Sequence, residues 1–136
     1  MKHLFAFALP DAGLKVMALA RIRRSKTAND VLYSNRTDVV NDAPAVPSSL
    51  SLAEALDALK ATAQGLGATL GAEGDGTLFF TWRSPLIGFP NGAHAFVEAG
   101  ETGTQVSLYG HALYGRRDFG ANRAFIERLA HAVRSD

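Results

Sequence analysis

Apolar residues change their spacing along this chain, and each change marks an element. Leu52, Leu56, Leu59 and Ala63 recur every three or four positions, which is the period of one helix face. Ser51 precedes the stripe and Glu54 follows three residues later, a capping box in which hydroxyl and carboxylate satisfy free backbone N–H groups. Gly65 and Gly67 end this helix. The period then shortens. Ala68–Ala72 reads as a short strand, Glu73–Gly76 as a turn, and Thr77–Arg83 (TLFFTWR) as an aromatic and β-branched strand. Pro85, Gly88 and Pro90 make Ser84–Asn91 an irregular bend. Gly92–Ala99 and Thr104–Ala112 form a hairpin about Gly100–Gly103. Phe125, Leu129 and Val133, with Ile126 and Ala132, give a final helix that ends near Ser135.

The order helix, four strands, helix predicts an α+β fold. An antiparallel sheet of about four strands packs against two helices in a single domain with a basic N-terminal extension. The first third is poorly patterned, and NDAPAVPSS (41–49) reads as a loop within one domain. Residues 1–40 are accordingly a basic segment that is part of, or packed on, the domain, and residues 41–136 are the α+β domain. In the aromatic strand, alternation puts Phe80 and Trp82 on one face and Phe79 on the other. One face is expected to pack on the helices. The other either lines a groove for an apolar ligand or is covered by the basic N-terminal third.

Charge changes the picture more than composition does. Seven basic and two acidic residues fall in 1–36, one and six in 37–82, and six and five in 83–136, so the net +1 conceals a basic end. A solvated charged tail accounts for that end, and a nucleic-acid partner is disfavoured. The apolar run Leu4–Leu9 is six residues long, against about twenty for a membrane span and at least about seven for a signal core. Residues 1–26, with Arg21, Arg23 and Arg24, remain a candidate for peripheral contact with an anionic membrane. Their charges scatter around a helical wheel, against a regular amphipathic anchor. The cytoplasm is the favoured location. With no cysteine there is no disulfide, thiol nucleophile or thiolate metal site.

Candidate chemistry is sparse. GRRDFGANR (115–123) holds three arginines, two glycines, an aspartate and an asparagine. Asp118 is placed to cap the last helix, with Gly115 and Gly120 allowing a tight approach. In the functional version, Arg116, Arg117, Asn122 and Arg123 flank free helix N–H groups and hold an anion or an acidic partner. His94 and His111 fall on adjacent strands and are placed to face each other across the hairpin. Zinc needs a third ligand, and only Glu98 and Glu101 lie near, at a strand end and a turn. No metal site or cofactor is expected. Neither a nucleophile elbow, a phosphate loop nor a dinucleotide fingerprint occurs, and GLGATLG (65–71) has the wrong spacing. An enzyme would have to bring His94 or His111 to Ser84 or Arg83 within about 3 Å.

TWRSPLIGF (81–89), the hairpin after it and LYGRRDFGANRAFIERL (113–129) resemble the bacterial and plastid domain-of-unknown-function family 1499. The matches are Arg83, Ser84, Leu86, Phe89, Gly115, Asp118, Gly120, Asn122 and Arg123, within a resemblance covering about residues 50–133. Gly110, Ala112 and Leu113 stand where the family has serines and an arginine. Asn91 and Gly92 stand for its paired acids, and His94 for the acid that follows. A membrane anchor or lipoprotein start of the family's usual kind is not read in the N-terminal residues. The resemblance implies the fold and leaves the activity open. The expectation is a non-catalytic module that binds a protein partner or a small apolar or anionic ligand. Two alternatives are a small hydrolase-like enzyme and a membrane-surface accessory protein.

Overall fold

A computed structural model describes residues 18–24, 30–84, 88, 90–101, 103–112 and 120–135. Among these residues six strands and two α-helices follow one another as β1 (Asp30–Tyr33), β2 (Val46–Ser48), α1 (Leu52–Gly65), β3 (Thr69–Gly74), β4 (Thr77–Arg83), β5 (Pro90–Gly100), β6 (Gly103–Ala112) and α2 (Ala121–Val133). The strands lie in the order β1-β6-β5-β4-β3, with β2 also paired to β6. Every strand pair is antiparallel. The α+β class stands, with more strands than expected.

The two additional strands come from the region read as extension and loop. Asp30–Tyr33 pairs with Leu108–His111, so the end of the basic segment belongs to the sheet. Val46–Ser48, inside NDAPAVPSS, pairs with Thr104–Val106. Both escape a periodicity search for a physical reason. All four residues of β1 are buried, which erases alternation, and β2 is three residues long with Pro47 at its exposed centre.

Helix α1 starts as the sequence requires. Ser51 Oγ accepts from the Glu54 amide at 3.1 Å, and Glu54 Oε1 accepts from the Ser51 amide at 2.9 Å. Its buried residues are Ala55, Leu59 and Ala63, so Leu52, 36% exposed, falls outside the stripe. Helix α2 buries Phe125, Ile126, Leu129, Ala130 and Val133. Its N-cap position is Gly120, in the left-handed region at φ 80°, with no side-chain cap bond. Asp118, expected as that cap, lies outside the described residues.

Both helices cover one face of the sheet. They pack with Leu78, Phe80 and Trp82 of β4, Ala93, Ala95 and Val97 of β5, Val106 and Leu108 of β6, and Val31 and Tyr33 of β1. Tyr33 donates its hydroxyl to Glu127 Oε2 at 2.7 Å and Glu127 pairs with Arg134 at 2.8 Å, fastening β1 to α2. Burial and the Glu127 bond push the Tyr33 phenol up to about 12. The opposite face carries a smaller cluster of Ile22, Leu32, Phe96 and Tyr109, with Leu19 and Val39 against it. Of the described residues from the N-terminal third, Leu19, Ile22 and Val39 cover that cluster.

Candidate functional site

Residues 19–24 and the loop after β1 lie against the outer sheet face and are tied there by two arginines. A 3-10 turn, Leu19–Arg21, leads into Ile22, whose side chain is buried. Arg36 donates to the carbonyls of Leu19 at 3.0 Å and Ile22 at 2.7 Å while gripping Asp38 at 2.9 Å. That carboxylate bond outweighs the small cost of burial and raises the Arg36 pKa. Arg24 reaches Asp30 Oδ1 at 3.1 Å, Asp42 Oδ2 at 2.8 Å and the carbonyl of Val40 at 2.9 Å. Burial opposes its charge, but the Asp30 and Asp42 carboxylates win and its pKa rises.

Asp30 and Asp42 are the pivots. Asp30, on β1, is buried and also accepts the Tyr109 hydroxyl at 3.0 Å. Burial, then Asp30, moves the Tyr109 phenol upward. Asp42 accepts from the Leu32 amide at 2.9 Å and meets Arg123 of α2 at 3.3 Å. The intervening loop is closed by Ser34 Oγ donating to Asn41 Oδ1, by the Asn41 amide on the Arg36 carbonyl at 2.8 Å, and by the Ser34 amide on the Ala43 carbonyl at 3.0 Å.

Between this segment and loop lies an open cleft of about 1140 Å³, lined by Ala20, Arg21, Ile22, Arg23, Arg24, Asp30, Arg36, Asp38, Val39 and Val40. Four guanidinium groups against two carboxylates leave its lining at +2. Arg21 and Arg23 are exposed and make no ion pair among the described residues. Val40, 78% exposed, forms an apolar lip.

On the same outer face, further along β5 and β6, His94 and His111 meet. Their Nε2 atoms are 3.4 Å apart and their rings lie 14° from parallel. Phe79 lies 4.6 Å from the His94 ring and Tyr109 5.2 Å from the His111 ring, centroid to centroid. Burial, with help from His111, pushes His94 down to about 4; burial also lowers His111, against opposing pulls from the Ala112 carbonyl and Asp30. The two are neutral at pH 7. The hydrogen-bond pattern assigns their tautomers. His111 Nδ1 lies 3.3 Å from the Ala112 carbonyl, which only accepts, so Nδ1 carries the proton and Nε2 is bare. His94 Nε2–H then donates to it, and His94 Nδ1 is a buried acceptor without a partner among the described residues.

Of the remaining expected site residues that are described, Arg83, Ser84 and Asn122 join neither centre, and Arg123 meets the clasp only through Asp42. His94 is opposite Phe79, whereas Arg83, the last residue of β4, and Ser84 just beyond it lie four and five residues further along the chain, about 13 Å or more at the strand rise. Arg83 donates to the Gly88 carbonyl at 2.9 Å, and Ser84 is buried. Asn122 is buried and donates to Asn91 Oδ1 at 3.2 Å, joining α2 to the start of β5. Arg123 is partly exposed and engaged with Asp42. Arg116 and Arg117 lie outside the described residues. Asp30 and Arg36 were not singled out by sequence; a lone aspartate and a loop arginine carry no local signal of a network assembled over tens of residues.

The architecture, an antiparallel sheet with both helices on one face and a charged N-terminal clasp on the other, defines an α+β domain. The family model described as "Protein of unknown function (DUF1499)" matches residues 23–133, and the chain belongs to that family. No curated protein and no solved structure matches it. Among the described residues, no helix is long and apolar enough to cross a membrane.

Proposed function

We propose that this chain is a non-catalytic binding module that holds a small organic anion, a carboxylate or phosphate ester, in the cleft beneath residues 20–24. One observation carries the reading: a cleft whose described lining carries a charge of +2, in which two exposed arginines have no ion-pair partner among the described residues. Arg24 and Arg36 are neutralised by Asp30, Asp42 and Asp38 and serve to hold the walls in place. Arg21 and Arg23 keep their donors available for planar, bidentate contact with an oxyanion. Val40 offers a surface for the ligand's organic part. A protein presenting an acidic side chain would use the same chemistry. A cytoplasmic setting, where such metabolites are abundant, fits this reading.

Thermal-shift measurements with inorganic phosphate, phenyl phosphate, benzoate and citrate test it, with vesicles of anionic and of zwitterionic lipid as a separate arm. A concentration-dependent rise in melting temperature with the free anions, reduced in R21A/R23A, supports the proposal. Binding to anionic vesicles with no response to free anions replaces it with membrane docking. No response in either arm removes it.

A further inference from the structure

The zinc argument against His94 and His111 concerns ligand number, and it does not extend to cations that take two ligands. Monovalent d10 ions, Cu(I) above all, bind two imidazoles in a line. Imidazole is a suitable donor for copper.

The geometry points to such a site between the two rings: we propose that His94 Nε2 and His111 Nε2 bind one Cu(I) ion end-on. Side-by-side or face-to-face rings hold nitrogen and centroid separations nearly equal. Here the centroids are 5.4 Å apart and the Nε2 atoms only 3.4 Å, so the nitrogens point toward one another. A linear ion needs them a few tenths of an ångström further apart, a shift two strand-borne side chains can make.

The surroundings suit a two-coordinate ion. Phe79, Phe96 and Tyr109 lie around His94, and its residue is 4% exposed, which keeps additional water ligands out. The half-buried His111 is the way in. Gly92 pairs with His111, and a Cβ there would stand 3.0 Å from its Nε2, so glycine leaves the nitrogen room. Both rings are neutral at pH 7, the form a metal requires. His94 already has a bare, unpartnered Nδ1. Its single proton moves from Nε2 to Nδ1 as the ion enters, so binding releases no proton overall. Asp30, across β1–β6 from His111, is engaged by Arg24 and Tyr109 and supplies charge balance nearby rather than a third ligand.

The test is an anaerobic titration of the whole chain with Cu(I) against a chromophoric Cu(I) chelator, followed by X-ray absorption of the loaded protein. The expected result is one ion per chain, two nitrogen scatterers and the pre-edge feature of linear Cu(I). H111Q and H94Q, each checked for native circular dichroism, should bind at least tenfold more weakly. H111Q, at the half-buried position, is the variant expected to keep its fold. Failure of the wild-type chain to retain Cu(I), undiminished binding by folded H111Q, or sulfur scattering from Met1 or Met17 would each overturn the proposal. None of these outcomes bears on anion binding in the cleft.

Discussion

Trp82 of β4 lies flat against Phe125 of α2, with ring centroids 4.5 Å apart and planes 5° from parallel. This contact joins the strand that ends at Arg83 to the helix that begins at Ala121. It also sets the spacing between sheet and helix where Asn91 meets Asn122. The Trp82 indole N–H is buried and has no hydrogen-bond partner among the described residues, so packing holds the ring there. Phe125→Ala is therefore expected to destabilise the fold by about 3–5 kcal/mol, the range for an emptied aromatic site. Urea denaturation followed by the fluorescence of Trp82, the only tryptophan, measures it. A loss under about 1 kcal/mol would mean the rings do not pack this way.

How much of this was legible in the sequence varies by element. The capping box at Ser51 and Glu54 and the hairpin between β5 and β6 depend on residues close in the chain, and both were readable. So was the approach of His94 and His111, because they lie on the two strands of one hairpin and on one face; the register sets them diagonally, His94 opposite Tyr109 and His111 opposite Gly92, close enough for the rings to meet. Strand β1 was hidden because Asp30, a buried charge satisfied by Arg24 and Tyr109, interrupts any apolar pattern. The cleft was equally hidden. Arg21, Arg23 and Arg24 could be named as a basic cluster, but its opposite wall comes from Arg36–Val40, positioned by long-range bonds to Leu19 and Ile22. The aromatic residues read as core on one face and left the other open to a groove or to cover by the N-terminal third; in the fold Phe79 and Phe80 are both fully buried, one on each face of the sheet.

Sheet and helix come close together at Gly110. A Cβ there would lie 2.8 Å from Ile126 Cγ1 and 3.3 Å from Asn122 Oδ1, and Ile126 has no exposed side to yield toward. Gly110→Ala is expected to cost about 1–3 kcal/mol through overpacking. Adding Ile126→Ala opens space for the methyl, so the double variant should lose less than the two single losses together. Strict additivity in chemical denaturation would contradict the close contact.

Stability should also depend on pH through the buried histidines. His94 titrates near 6.5 when unfolded and about 4 when folded, so between those values the unfolded chain binds more protons. Stability is complete above pH 6.5 and falls as pH drops toward 4, with His94 accounting for a loss of about 3 kcal/mol at most. His111, shifted the same way, adds to the slope. In His94→Phe the denaturation midpoint should change less over this interval than in the wild type. An unchanged slope would show that His94 is not the buried, neutral group described.

The most direct measurement of the central claim is calorimetric titration of phenyl phosphate into the wild-type chain and into R21A/R23A, at low and at physiological salt. The account predicts saturable one-to-one binding by the wild type, weakened by salt, and at least tenfold weaker binding by the double variant. Heats indistinguishable from dilution in the wild type, or equal affinity in the two proteins, would contradict it.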